Sequence, residues 1–532
     1  MNDMTKKYSI DTTDYQVGQD NIQKWGFDIH NPVFGISAFL VVLFVLLSLV
    51  FDPTVTRDAL TSTKDAIINQ FDSYFMLLAN AFVIFCIILA FSPLGKIRLG
   101  GVKARPEHGY ISWLAMLFAA GMGIGLLFWG VAEPTAYYTG WYHMPMGVEP
   151  NSPQAHSLAL GATMYHWGLH GWAIYAVVGL SLAFFAFNKG LPLSIRSVFY
   201  PLFGDRAWGW MGHIIDILAV LSTLFGLATS LGLGAQQATS GINYLLGTDY
   251  GTAFQISVIG LVTCIAIFSV IRGIEGGVKV LSNVNLICAF FLLLVVIVLT
   301  FSDSIPAVWF TLGAYVEHFV PLSNPFNRPD EDWMHSWTVF YWAWWISWSP
   351  FVGMFIARVS KGRTVREFLL VVIGLPTLLS LVWMGVFGNM AITQVIDKVG
   401  PLGQNGLTDI SVTLFQVYEQ LPFSSFISII SIALVLVFFI TSSDSGSLVI
   451  DGITAGGKID APVPQRIFWA TVEGMIAAVL LWVGGSQALQ ALQSGVVTTA
   501  LPFSIILILM CVALIQGLLS EYPTYKVQSK LH

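Results

Sequence analysis

Aromatic residues are crowded into two short segments of the sequence, MYHWGLHGWAIY at 164–175 and FYWAWWISWSP at 340–350. Trp172 and Tyr175 are three residues apart, as are Trp345 and Trp348, so each pair shares one face of a helix. Once desolvated, an aromatic face attracts a quaternary ammonium by about 0.5–2 kcal/mol. Ordinary aromatic packing explains either segment alone. Together, the two segments, with Trp167 in the first, predict a box of aromatic rings that holds a cationic group without an acidic residue.

A second unusual segment, GMGIGLLFWGVAEP at 121–134, places glycines at three alternate positions of an apolar run. A spacing of two fits no single helix face, so close helix packing through small residues explains it poorly, although that alternative stays open. A phosphate-binding loop is disfavoured because no P-loop lysine accompanies the glycines. The spacing favours local unwinding, which frees carbonyls for a cation and amides for an anion.

A third segment, FFITSSDSGS at 438–447, offers hydroxyl oxygens from Thr441 and Ser442. A hard cation prefers oxygen ligands, whereas a catalytic nucleophile would need an elbow motif and a basic partner, which the segment lacks. The competing interpretation is that these hydroxyls donate to carbonyls one helical turn earlier. The segment therefore predicts either a cation site or self-satisfied helical hydroxyls.

The elements that position these segments are membrane spans. The chain has 532 residues, of which 55% are hydrophobic and 10% charged, and this composition is typical of an integral membrane protein. Apolar runs of about 20 residues, the length that crosses a bilayer, recur along the chain. Twelve are predicted, near 33–52, 74–94, 109–139, 158–187, 212–241, 253–272, 281–301, 336–358, 366–394, 424–449, 466–485 and 499–520.

The basic residues indicate the orientation of these spans. With both termini inside, only Arg57, Lys64, Arg328 and Lys398 of the 24 lysines and arginines fall in outside loops. The chain then divides into a cytoplasmic tail at 1–32, a twelve-span domain at 33–520 and a short cytoplasmic tail at 521–532. No signal peptide is expected, and the outside loop near 302–335 is predicted to hold an interfacial helix.

Other classes of protein are disfavoured. The net charge of −6 is spread thinly and suggests no nucleic-acid partner. A channel would need a continuous polar pore, and an enzyme would need nucleophile or metal-ligand partners for the intramembrane acids Glu133, Asp216 and Asp444, which are interpreted as hydrogen-bond acceptors. The cysteines show no metal-ligand or disulfide spacing and are interpreted as small core residues. They are Cys86, Cys264, Cys288 and Cys511.

The three segments GMGIGLLFWGVAEP, FYWAWWISWSPFVGMFIARVSKGRTVRE and FFITSSDS closely resemble the betaine/carnitine/choline transporter family, in the family's order and on the expected spans. The resemblance extends over nearly the whole chain. It implies an all-α membrane protein with twelve transmembrane helices and the leucine-transporter-like fold. Two inverted five-helix repeats would comprise spans 3–7 and 8–12, and the protein would form a homotrimer in the bacterial inner membrane. No cofactor other than a coupling ion is implied.

The resemblance also implies which residues bind the substrate. The trimethylammonium group would lie in a box of Trp167, Trp172, Tyr175 and Trp345, with Trp348 beside it. The carboxylate would face the backbone of Gly121, Met122, Gly123 and Gly125. The route in and out would be lined by Phe128, Trp344 and Phe355.

For the coupling ion, the resemblance implies a sodium site formed by Ala119, Met122, Phe438, Thr441 and Ser442. Sodium-independent exchangers of the family carry an arginine where this chain has Asn285, which favours sodium coupling. The family's second sodium site would use Thr223 and Phe351, but its remaining hydroxyl position holds Leu227. The number of sodium ions therefore stays open.

The resemblance implies a sodium-coupled symporter for a zwitterionic compatible solute in osmoprotection. Choline carriers of the family place an aspartate near the position of Gly125. This chain has no such aspartate, which favours glycine betaine as the substrate. Ectoine, proline, dimethylsulfoniopropionate and choline remain alternatives, as does a sodium-independent antiporter of carnitine or betaine. The C-terminal tail has only Lys526 and Lys530, which disfavours osmotic sensing by a long basic helix.

Overall fold

The computed structural model describes residues 13–121, 123–272, 278–458 and 461–528, and these are mainly helical. The longer helices, numbered here in chain order, are α1 (Asn31–Val50), α2 (Pro53–Phe91), α3 (Tyr110–Gly121), α4 (Ile124–Thr139), α5 (Pro153–Trp167), α6 (Leu169–Lys189), α7 (Trp210–Leu246), α8 (Thr252–Arg272), α9 (Val278–Leu299), α10 (Phe301–Ser323), α11 (Phe340–Val359), α12 (Val365–Trp383), α13 (Asn389–Asp397), α14 (Ser424–Thr454), α15 (Val463–Gly484) and α16 (Ala488–Gln528). Shorter helical segments connect them, and π-helical turns at Met334–Val339 and Met384–Gly388 precede α11 and α13.

Within the described ranges, eight helical stretches are long and apolar enough to cross a membrane, or nine if the bent pair formed by α9 and α10 is one span. This establishes a multi-pass helical membrane protein but not the predicted twelve spans. One of the eight stretches, 463–527, has 65 residues. A continuous helix of that length would be roughly three times as long as a bilayer core is thick, so it is too long to be a single span. The stretch is divided at Gly485, whose φ of 52° ends α15.

Several helices extend beyond the predicted membrane spans by more than a turn. Helix α2 begins at Pro53, so the expected outside loop that carries Arg57 and Lys64 is helical. At the other end of the chain, α16 continues to Gln528 and includes most of the expected C-terminal tail. Helix α10 forms inside the loop predicted to hold an interfacial helix and is bent by 109° from α9. Hydropathy marks the apolar part of a helix, whereas the hydrogen-bonded helix continues through polar residues.

The N-terminal segment forms structure that the sequence analysis did not predict. Strands β1 (Asn21–Lys24) and β2 (Phe27–His30) pair antiparallel, with Lys24 opposite Phe27. Trp25 and Gly26 connect the strands with φ values of 54° and 81°, the positive values that a two-residue hairpin turn requires. This two-stranded hairpin is a short exception within a chain that is otherwise mainly helical. The sequence did not predict it, because its turn depends on a single glycine in a polar stretch.

This hairpin is docked on one end of the helical bundle. The Asn21 side chain donates to the carbonyl of Ala455 at 2.8 Å, just after α14. His30 lies 3.2 Å from the buried guanidinium of Arg196, which is paired with Asp216 at 3.3 Å, and 3.1 Å from His213. The backbone N–H of Asp28 donates to the side chain of Gln465 on α15 at 3.3 Å. The described part of the expected tail is thus connected to the starts of α7 and α15 and to the end of α14.

Acidification should release this docked segment. Burial first, and then the neighbouring charges of Arg196 and His213, lower the pKa of His30 to about 3. Docking therefore requires neutral His30, so it has its full stability above the ordinary histidine pKa of about 6.5 and weakens as the pH falls below that value. Proteolysis of residues 13–30, normalised to an unfolded substrate at each pH, should accelerate between pH 7.5 and 5.

The substitution His30→Gln is the control for this effect, because glutamine can hydrogen bond but does not titrate. The acceleration should be much smaller in this variant, with the remainder caused by His213. A wild-type cleavage rate that does not change over this pH range would contradict the expectation.

The helices pack so that the three segments singled out in the sequence meet in the bundle interior. Helix α11 packs against α6, and α14 packs against α7. Helix α3 ends at Gly121, and α4 begins at Ile124 and contacts α5, α7 and α14. One cysteine prediction is wrong: Cys264 on α8 is exposed, as expected for a residue that faces lipid, whereas Cys86 is buried.

Candidate functional site

A cavity of about 210 Å³ lies where these segments meet. Pockets for drug-sized ligands have volumes of about 300–1,000 Å³, so this cavity suits a smaller molecule. No Asp, Glu, Lys or Arg side chain is among the described residues that line it. Its lining is formed by Gly123, Ile124, Gly125, Leu126, Trp167, Trp172, Tyr175, Ser230, Asn285, Leu286, Trp344, Trp345, Trp348, Phe351, Val352, Phe355, Phe438, Thr441, Ser442 and Ser445.

Four aromatic rings form one wall of this cavity, and we call them the aromatic box: Trp167, Trp172, Tyr175 and Trp345. The ring of Trp345 is central, with centroids 5.7 Å from Trp167, 5.7 Å from Trp172 and 4.7 Å from Tyr175. Trp172 and Tyr175 meet edge to face at 5.4 Å. These separations are typical of favourable aromatic pairs. The structure therefore brings together the two aromatic segments that the sequence analysis connected.

A break between two helices positions the box. Trp167 is the last residue of α5, Gly168 has non-helical angles (φ −100°, ψ −135°), and α6 then carries Trp172 and Tyr175. A Cβ at Gly168 would lie 2.5 Å from the hydroxyl of Tyr315 and 2.6 Å from the carbonyl of Met164. Because only glycine avoids these two contacts, this residue lets the chain change direction beside the cavity.

The predicted unwinding of the glycine segment is confirmed. Helix α3 ends at Gly121 and α4 begins at Ile124, with Gly123 in an extended conformation between them (φ −152°, ψ −176°). Gly123 and Gly125 line the cavity. Ala119 and Gly121 belong to the end of α3, whose side chains there are not described, and Met122 lies outside the described residues.

Two glycines leave room for the rings of the aromatic box, and filling that room should weaken ligand binding. A methyl group at Gly125 would lie 2.5 Å from Cη2 of Trp167, and one at Gly171 would overlap the indole of Trp345. Overpacking of this kind typically costs about 1–3 kcal/mol. In Gly125→Ala or Gly171→Ala, we therefore expect the KM for the ligand of this cavity to rise by about tenfold or more.

The control for these two variants is Gly374→Ala on α12, where an added methyl group meets no atom within 4 Å. It should leave the KM unchanged. Equal KM values in all three variants would show that the rings are not held against these glycines.

The expected cation ligands on α14 border the same cavity. Phe438, Thr441 and Ser442 line it, as does Ser445, which the sequence analysis did not single out. The Thr441 hydroxyl donates to the carbonyl of Val437 at 3.0 Å or of Phe438 at 3.2 Å. Donation toward a carbonyl leaves the hydroxyl lone pairs free for a cation, so the helical hydrogen bond and the cation site are compatible.

The remaining predicted residues divide into two groups. Trp344, Trp348, Phe351 and Phe355 line the cavity, whereas Phe128 and Thr223 are buried and are not among its described lining residues. The ring of Phe128 packs edge to face on Trp129 at 4.8 Å. The Thr223 hydroxyl donates to the carbonyl of Ala219 at 2.7 Å.

The intramembrane acids accept hydrogen bonds, as predicted. Asp216 pairs with Arg196, and Asp444 accepts from Ser269 at 3.0 Å. The largest network belongs to Glu133, whose partners include His166 and Tyr341 on other helices. Neither partner is predicted from the sequence. The sequence does indicate that an acid in an apolar span needs polar neighbours. It does not indicate where in the chain those neighbours lie.

Comparisons with known proteins agree with this geometry. Residues 32–523 match the model of a family described as betaine/carnitine/choline family transporter. The chain is 68% identical over 526 residues to a glycine betaine/proline/choline/ectoine transporter of Vibrio parahaemolyticus, covering 99% of this chain and 94% of the relative. It is 65% identical over 521 residues to glycine betaine transporter 1 of the same species (97% and 100% coverage). It is 41% identical over 510 residues to the glycine betaine transporter OpuD of Bacillus subtilis (93% and 96% coverage).

Proposed function

The chain belongs to the betaine/carnitine/choline transporter family, and from that premise we propose that it is a sodium-coupled symporter that imports glycine betaine. The observation that supports this most directly is that the aromatic box and the hydroxyl residues Thr441 and Ser442 line one cavity, with no charged side chain among its described lining residues. This arrangement suits a zwitterion and a small hard cation. The family to which the chain belongs consists of transporters, not enzymes.

Two parts of the cavity lining suit the two ends of glycine betaine. Its trimethylammonium group would lie in the aromatic box, where each desolvated ring contributes about 0.5–2 kcal/mol. Its carboxylate would face the backbone amides of the break between α3 and α4, since the start of a half-helix favours an anion. The names of three relatives include glycine betaine, which supports this choice of substrate.

Sodium coupling supplies sufficient energy for accumulation. One charge moving through 100 mV is worth about 2.3 kcal/mol, which supports roughly a fiftyfold gradient of a neutral zwitterion. The proposed ligands are the Thr441 and Ser442 hydroxyls with the carbonyls of Phe438, Ala119 and Met122. A second sodium ion at Thr223 and Phe351 has less support, because Thr223 does not line the cavity and the nearby Leu227 supplies no oxygen.

The proposed architecture has twelve spans in two inverted five-helix repeats, spans 3–7 and 8–12. In its support, α3 with α4, α5 with α6, and α12 with α13 each occupy one predicted span, and α15 and α16 occupy separate spans. The distribution of basic residues supports both termini being cytoplasmic in the bacterial inner membrane. Homotrimer formation is proposed from the family alone.

Uptake of labelled glycine betaine into proteoliposomes tests the proposal. Accumulation should require an inward sodium gradient and increase when the interior is made negative. Uptake that ignores sodium but requires substrate on the far side would identify an antiporter instead. Unlabelled ectoine, proline and choline should be included as competitors, because the name of one relative includes all three. We expect choline to compete least, since Gly125 provides no carboxylate for a purely cationic ligand.

A further inference from the structure

Glu133 is a fully buried carboxylate directly behind the aromatic box. Its Oε1 accepts hydrogen bonds from the Tyr137 hydroxyl at 2.9 Å and from Nδ1 of His166 at 2.8 Å. Its Oε2 accepts from the indole Nε1 of Trp167 at 2.8 Å and from the Tyr341 hydroxyl. Four donors from α4, α5 and α11 thus converge on one side chain that has no exposed surface.

These donors explain how an acid is retained at this depth. A buried carboxylate is costly unless hydrogen bonds replace its hydration. No lysine or arginine forms an ion pair with Glu133 in the described part of the chain. In a neutral His166 ring, donation from Nδ1 leaves Nε2 as an acceptor for the Thr338 hydroxyl, which lies 2.9 Å away. The network thus satisfies the carboxylate without neutralising it by a cationic side chain.

The same network fixes two rings of the aromatic box. Trp167 is held directly by its hydrogen bond to Glu133. Trp345 is held one step away, because its indole donates to the backbone carbonyl of His166 at 3.0 Å. Tyr341 stacks on the ring of His166 with centroids 4.5 Å apart and an interplanar angle of 15°. A shift of the carboxylate would therefore move both rings.

The position of the carboxylate also has an electrostatic consequence. An indole whose N–H donates to a carboxylate has a more electron-rich face, and that face attracts a cation more strongly. In an interior of low dielectric, the carboxylate charge itself acts across the ring. The cavity thereby gains a negative potential without an acidic side chain in contact with the ligand.

We propose that Glu133 is a positioning residue that polarises the aromatic box and so makes the site prefer a positively charged onium group over an uncharged group of the same shape. The inference rests on the proposed function, in which the box holds a trimethylammonium group. It adds the source of the charge preference, which the uncharged lining does not supply.

A matched pair of ligands separates charge from shape. Glycine betaine and 3,3-dimethylbutanoate have the same outline, but the latter has carbon in place of the quaternary nitrogen. Binding is measured calorimetrically on the purified full-length protein in sodium. Glu133→Gln keeps an oxygen acceptor for Trp167 but removes the charge. In Glu133→Gln we expect the Kd for glycine betaine to rise about tenfold. The inhibition constant of 3,3-dimethylbutanoate against betaine binding should change less than twofold.

Two further variants make the result decisive. Glu133→Asp keeps the charge and should retain more betaine affinity than Glu133→Gln, whatever the affinity of the carbon analogue. Glu473→Gln removes another fully buried glutamate, on α15 and outside the cavity lining, and should leave the Kd unchanged. An unchanged betaine Kd in Glu133→Gln, or equal losses in the Asp and Gln variants, would overturn the inference. Wild-type protein that binds no betaine would instead contradict the proposed function.

Discussion

Replacing both Thr441 and Ser442 by alanine should abolish sodium-driven accumulation of glycine betaine. The two side chains supply the hydroxyl oxygens on the α14 side of the cavity, and alanine offers sodium no ligand. Of the five ligands proposed for sodium, the double variant leaves only the three backbone carbonyls, so the coupling ion should no longer bind at physiological concentrations. In proteoliposomes at −100 mV, accumulation of roughly fiftyfold should fall to equilibration with the external solute.

Thr471→Ala is a suitable control for the double variant. Thr471 lies on α15, donates to the carbonyl of Ile467 at 2.8 Å and is not among the described residues that line the cavity. Its replacement removes a similar helical hydroxyl and should leave accumulation intact. If the Thr441→Ala/Ser442→Ala protein still concentrates betaine in response to sodium, the assignment of the ion site is wrong.

The sequence predicts the local chemistry of the site better than its supporting contacts. Glycines at 121, 123 and 125 are hard to reconcile with an uninterrupted helix, and the structure breaks the helix there. The residues of the aromatic box can be predicted from their spacing and from the family resemblance, because the crowding of aromatic residues at 164–175 and 340–350 is visible in the sequence. The partners of Glu133 were not visible, since His166 and Tyr341 lie 33 and 208 residues away.

The predicted helices differ from the observed ones for a related reason. Hydropathy reports where a segment is apolar, and both Pro53–Phe91 and Ala488–Gln528 continue as helices beyond their apolar parts. The N-terminal hairpin depends on positive φ at two residues and on docking to distant loops such as the one at Ala455. Composition cannot predict such contacts, because they exist only once the helices have assembled.

The position of Trp345 makes it the most sensitive residue of the aromatic box. It contacts the other three box rings, and its indole is tied to the His166 carbonyl. In Trp345→Leu the apolar volume is partly retained but the aromatic face is lost. A single desolvated ring is worth up to about 2 kcal/mol, or roughly thirtyfold in affinity. We therefore expect the KM for glycine betaine to rise by up to roughly thirtyfold.

Trp345→Phe separates the aromatic face from the hydrogen bond. Phenylalanine keeps an aromatic face but cannot donate to His166, so its KM should rise only a few fold. Both KM values come from the concentration dependence of initial uptake rates at saturating sodium, with the amount of folded protein measured by gel filtration. Leucine and phenylalanine variants with the same KM would show that volume, rather than an aromatic face, holds the substrate. A large loss in leucine with near-normal transport in phenylalanine would instead place the trimethylammonium group against this ring, since no other property differs as strongly between the two side chains.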